Sequence, residues 1–119
     1  MGINSLFRSR VAEASIAAHL IIKGGAAVNS CVVAAAPADK LLGTSDELDH
    51  VTGETVDMAV GPVPLVCLGG TVAAGDALTS DANGKAVATT TTGHRIIGFA
   101  ENAGVINDVI PYLRSPGVL

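Results

Sequence analysis

The stretch Gly69-Gly-Thr-Val-Ala-Ala-Gly-Asp-Ala-Leu-Thr-Ser-Asp-Ala-Asn-Gly-Lys-Ala-Val87, followed by Gly93-His-Arg-Ile-Ile-Gly-Phe-Ala100, decides the fold. Asn83-Gly84 is a strong hairpin signal, because a type I′ turn needs positive φ at both central residues. Gly75-Asp76 is a second turn signal. Short β-like apolar segments separate the turns. The pattern predicts an all-β chain: a small β-barrel or sandwich of short antiparallel strands.

Composition supports this reading. The chain has 119 residues, no Trp, and only 3% aromatics, so its core must be built from small and β-branched residues. Such a core suits thin, closely packed sheets. It buries less area per residue than an aromatic core, so self-association or docking would supply further burial. The net charge is −4 with no cluster of Lys or Arg, which argues against nucleic acid as the main partner. The apolar stretch Ile16 to Ile22 is too short to span a bilayer, and the N-terminus lacks the pattern of a secretory leader. The expectation is no nucleic acid and no membrane partner.

Outward from the deciding stretch, the chain divides into short segments. Residues 1–14, with Leu6, Phe7, Arg8 and Arg10, read as an extended N-terminal arm that orders on a partner, ahead of a single β domain over 15–119. Ser15–Lys23 and Ala26–Ala36 read as strands separated by Gly24-Gly25. Asp46–Gly53 is the most polar stretch and reads as a loop. In Glu54–Val60, Val56, Met58 and Val60 fall on one face, the period of a half-buried strand. Val63–Leu68, Arg95–Ala100 and Asp108–Leu113 read as further strands, and Ser115–Leu119 as a tail. Leu41-Leu-Gly-Thr-Ser-Asp-Glu47 echoes Ile96-Ile-Gly-Phe-Ala-Glu-Asn102. Each is followed by a loop and an alternating strand, which suggests two similar strand–loop–strand units within one barrel. A glycine inside each strand marks a bulge or a close backbone approach.

Motifs for catalysis and metal binding are missing. An EF-hand frame centred on Gly84 puts Thr79 and Thr90 at the first and twelfth positions, where carboxylates are needed. Gly84-Lys85 lacks the rest of a phosphate-binding loop, and no G-x-S-x-G elbow is present. His19, His50 and His94 lack metal-ligand spacing. Ser45, Asp49 and His50 could be written as a triad, but any polar loop with those residues allows that. Cys31 and Cys67 sit in apolar segments and read as buried thiols, with a disulfide left open. No cofactor, no metal and no enzymatic activity are expected. Asp46, Glu47 and Asp49 form an acidic patch suited to a solvated loop or to a basic surface on a protein partner.

The ordered motifs from Gly69 to Ala100, the closing Asn-Asp-Val-Ile-Pro-Tyr-Leu113 strand and Ser115-Pro-Gly117 resemble tailed-bacteriophage structural cement proteins, also called capsid decoration or head-stabilising proteins. Ala38–Ser45 and Gly53–Asp57 also fit, so the resemblance covers roughly residues 38 to 117. One departure is Val105-Ile106-Asn107-Asp108, where the family more usually has a Gly-Asp turn. The resemblance implies a non-enzymatic virion protein, made in the host bacterial cytoplasm. It would bind the outer surface of the major capsid protein lattice and stabilise the expanded head. The alternative is a low-copy virion or tail-associated β-module. The expected partners are the major capsid protein and further copies of the chain, as a dimer or trimer. The expected interface residues are Leu6, Phe7, Arg8, Arg10, Tyr112 and Arg114, which are apolar or cationic groups near the termini.

Overall fold

The computed structural model describes residues 7–59 and 63–119. The strands are β1 (Phe7–Ala12), β2 (Ile21–Gly24), β3 (Ser30–Val33), β4 (Leu41–Thr44), β5 (Thr55–Ala59), β6 (Leu65–Cys67), β7 (Ala77–Ser80), β8 (Ala86–Ala88), β9 (Arg95–Ala100) and β10 (Val109–Val118). The chain is all-β. The first five strands form a closed barrel in the order β1-β3-β2-β4-β5, and the last five a sheet in the order β6-β10-β9-β7-β8.

These two orders are the same order. Each strand of the first half has its counterpart five strands later, with the same neighbours in the same sense. β1 pairs antiparallel with β5 and β6 with β10; β2 pairs with β3 and β4, and β7 with β8 and β9. The parallel β1–β3 pairing that closes the barrel is reduced in the second half to one parallel bridge, Leu68 to Ala86. The loops repeat as well. Ile16 and His50 exchange two backbone hydrogen bonds of 2.9 and 2.8 Å, and Val72 and Gly104 exchange two of 2.9 and 3.1 Å. Left-handed φ falls at corresponding turns: His19, Asn29 and Gly53 in one half, and Gly75, Gly84 and Asn107 in the other. The echo in the sequence is thus one part of a tandem repeat of a whole five-stranded unit, larger than the strand–loop–strand unit expected.

Gly43 and Gly98, the glycines of that echo, both sit beside register shifts, between Ile22 and Lys23 and between Arg114 and Gly117. A Cβ on Gly43 would lie 2.8 Å from the Ala59 carbonyl, and one on Gly98 would collide with the Leu113 carbonyl. The absent side chain lets the neighbouring backbone close in at each bulge.

Several expectations need correction. Residues 7–12 are not an arm: they form β1, in register with β5 from Phe7 opposite Ala59 to Val11 opposite Thr55. Ala12 is already in the barrel core, so the structure has no boundary at residue 14. Leu6 lies outside the described residues. The expected strand over Ser15–Lys23 is mostly loop, because Ile16 bridges to His50 and His19 turns left-handed. The expected tail continues β10 to Val118, since Gly117 and Val118 pair with Ile96 and Arg95. The Asn83-Gly84 turn has positive φ at Gly84 alone. Asp81 organises it by accepting the Asn83 and Lys85 amides at 2.8 and 3.0 Å, so the loop is a three-residue one closed by a left-handed glycine. At the departure from the cement family, Asn107 takes the left-handed φ that a Gly-Asp turn supplies, and Asp108 accepts the Val105 amide.

The smaller apolar cluster fills the barrel: Ala12, Ile16, Ile22, Cys31, Val56 and Met58. The larger one joins the halves, with Ile21, Ala34 and Leu41 packing on Val66, Leu68, Leu78, Ile97, Ile110 and Tyr112. Tyr112 is fully buried, and its hydroxyl meets Thr44 Oγ1 at 3.2 Å. Burial, partly offset by that hydrogen bond, pushes the phenol up to about 12. Gly84 also lies in the seam. Its carbonyl accepts the Ile21 amide at 2.7 Å, and a Cβ there would fall on the Val33 side chain.

Gly84→Ala is therefore expected to destabilise by about 3 kcal/mol in urea unfolding, from a left-handed φ and overpacking together. Gly75→Ala, left-handed but with open space around it, should lose only about 1 kcal/mol. Tyr112→Phe leaves the buried Thr44 hydroxyl without its partner and should lose about 1 kcal/mol in the same measurement.

Candidate interaction surface

An open cleft of about 580 Å³ lies where the first unit meets β6. It is lined by His19, Ser45, Asp46, Glu47, Leu48, Asp57 and Ala59 of the first unit together with Val63, Pro64 and Leu65. The acidic part of the lining is held by a network centred on His50. Its Nε2 lies 2.9 and 3.0 Å from the two Asp46 oxygens, and its Nδ1 lies 3.4 Å from Glu54 Oε1. The hydrogen bond to Asp46, against a smaller opposing effect of burial, raises the imidazole above its ordinary value. Burial alone would push the Asp46 carboxyl up. The Leu48 amide, the imidazole and the Asp57 amide outweigh it, and the carboxyl is held low.

The other residues of the notional triad are engaged elsewhere. Ser45 Oγ donates to the Ala17 carbonyl at 2.7 Å and accepts the Leu20 amide at 3.0 Å. Asp49 accepts the Ala18 amide at 2.9 Å. The three side chains do not converge on one point; each fixes a different part of the 16–20 and 45–54 loops.

Val63 and Leu65 carry the cleft onto the outer face of the second sheet. Leu65 stands opposite Pro111, Cys67 opposite Val109, Leu113 opposite Phe99, and Phe99 opposite Ala77. Opposed residues share a face, and so do alternate residues of one strand. Val63, Leu65, Val109, Leu113 and Phe99 are all exposed. The repeat shows that the fold does not require this. At the corresponding positions the first unit has Ser9 opposite Asp57, joined by a 3.1 Å hydrogen bond, and Thr55 where β10 has Val109. The sequence places Val109, Pro111 and Leu113 on one face of an alternating strand, but the expected interface was put on Tyr112 and Arg114 instead.

Of the interface residues expected from sequence, Tyr112, Arg114 and Arg10 are engaged within the chain. Tyr112 is a correction: it faces inward from β10, alternating with Pro111 and Leu113, and belongs to the core. Arg114 turns toward the seam, where its Nη2 donates to the Leu42 carbonyl at 2.6 Å. Arg10 donates to the Ser30 carbonyl at 3.1 Å. Phe7 and Arg8 lie on β1 opposite Ala59 and Met58. Cys31 is buried and Cys67 half-buried, and both are free thiols.

No known family model and no curated protein matches the sequence. Among solved structures, the N base of the head fibre gp8.5 of bacteriophage phi29 is similar to this chain, with a TM-score of 0.71 and 19% identity. The match covers 95% of this chain and 96% of that one, so the likeness of fold includes both units.

The His50 network gives a pH signature. A raised imidazole value means its contribution is full below the ordinary 6.5 and is lost as pH rises through the native value. A lowered Asp46 value means its contribution is present above 3.8 and lost as pH falls through the native value. The stability advantage of the wild type over His50→Asn, about 1 kcal/mol, should be greatest between those two values and shrink on either side. Urea midpoints of both proteins across pH 3 to 9, on the order of one point per unit, check this.

Proposed function

We propose that the chain is a structural protein of a tailed-phage head: a cement protein that binds the outer surface of the major capsid protein lattice and stabilises the expanded shell. It acts by binding and carries out no turnover. The observation that carries the reading is the fold likeness over nearly the whole chain to the base of a phage head fibre. The ordered turn-and-strand motifs from Gly69 to Ser115, which resemble cement proteins, support it independently.

The physics of the role suits the molecule. A contact of standard size buries about 800 Å² per partner. Hundreds of copies of such a contact brace a shell collectively, and engagement across a seam between subunits raises effective affinity without new chemistry. The exposed apolar face of the second sheet is the part of the described surface best fitted to such a contact. Self-association as a dimer or trimer belongs to the same reading.

A second reading is favoured by one specific observation. The similar solved structure is the base of a head fibre, so the chain could serve as the base of a low-copy appendage rather than as a cement. Copy number separates the two. Purified chain should co-sediment saturably with expanded, undecorated heads of the source phage, at hundreds of copies per head, and raise the melting temperature of the heads. Saturation at a few copies with no change in melting would establish the appendage reading. No binding to heads would overturn both.

A further inference from the structure

We propose that the cleft between the barrel and β6, together with the apolar face that Leu65 carries onto β10 and β9, docks an extended segment of a partner protein in which Arg or Lys alternates with apolar residues. The inference rests on the structural-protein reading above and names the chemistry of the partner. The first observation is the apolar face itself. Val63, Leu65, Val109, Leu113 and Phe99 are exposed; at the positions of Leu65, Val109 and Pro111 the other unit has the polar Ser9, Thr55 and Asp57. Their apolar character is thus not a requirement of the strand pairing, and contiguous exposed apolar surface is the mark of a contact.

The second observation is charge. Asp46, Glu47 and Asp57 line the same cleft as Val63 and Leu65. A segment lying along the cleft meets both carboxylates and apolar side chains. Arg and Lys match this, since their stems cover apolar surface while the cationic head reaches a carboxylate. Asp46 is occupied by His50, whereas Asp57, among the described residues, accepts only the neutral Ser9 hydroxyl, which leaves Glu47 and Asp57 as the recognition charges. A second copy of this chain is the poorer occupant: it would bring the same carboxylates, and a net charge of −4, to the contact.

The test uses the full-length chain, isotopically labelled, and two capped five-residue peptides, one alternating leucine with arginine and one alternating leucine with glutamate. The arginine peptide is expected to shift the amides of residues 45–48, 57, 63 and 65 saturably, and the glutamate peptide to leave them in place. Glu47→Lys and Leu65→Ser should each weaken the arginine peptide roughly tenfold, whereas Val28→Ser, at an exposed apolar residue of the β2–β3 turn, should not. Equal response to both peptides, or shifts that map elsewhere, would overturn the proposal. The same variants assayed on undecorated heads keep the two readings apart. Head binding that survives Glu47→Lys and Leu65→Ser overturns the docking site and leaves the head protein standing. Peptide docking without head binding does the reverse.

Discussion

Everything in this molecule depends on burying one tyrosine between two copies of a small fold. Tyr112 is the largest fully buried side chain, in a protein with few aromatic residues. It comes from the second unit, yet its hydroxyl finds its partner on Thr44 of the first. A buried hydroxyl without a partner costs more than a mismatched methyl group, so the pair fixes how the units meet as well as holding them together. Around it, Ile21, Leu41, Leu68, Leu78 and Ile97 build a core that belongs to neither unit alone.

The loops follow from the same constraint. A unit of such short strands has little ladder to hold it, so side-chain carboxylates close the turns. Asp39, Asp76, Asp81 and Asp108 each accept backbone amides of a nearby turn, and Glu13 does so for Ala26 and Ala27. These acids explain much of the negative charge. Most are structural, which is why the acidic stretch from Asp46 to Asp49 reads as solvated loop yet folds into a network around His50. Glu47, which accepts no such amide among the described residues, lines the cleft.

Much of the second unit was legible in the sequence. Gly75-Asp76, Asn83-Gly84 and the glycine in Ile96-Ile-Gly-Phe each report a backbone geometry that few other residues tolerate. The first unit was harder, because two of its three left-handed positions are filled by His19 and Asn29, which carry no comparable signal. The role of β1 could not be read either. Its partners lie far off in sequence, and a six-residue segment with two arginines looks like an arm until β5 is placed beside it. Tyr112 was misplaced because the apolar run of β10 has no polar residue to mark its outer face. The site was legible only as scattered charges, since the cleft exists where one unit meets the other.

The tandem arrangement has a consequence for valence. When two identical subunits pair about an axis, every surface patch is displayed twice, and a sticky patch offers two attachment points from which a chain of molecules can grow. Here the two copies are fused in one polypeptide and have diverged. One keeps a polar strand face, Ser9 against Asp57, and the other an apolar one, Leu65 against Pro111. The barrel half also closes on itself, leaving no strand edge for a neighbour to extend. The two copies therefore present different strand faces, one largely polar and one largely apolar, and do not offer the same contact twice.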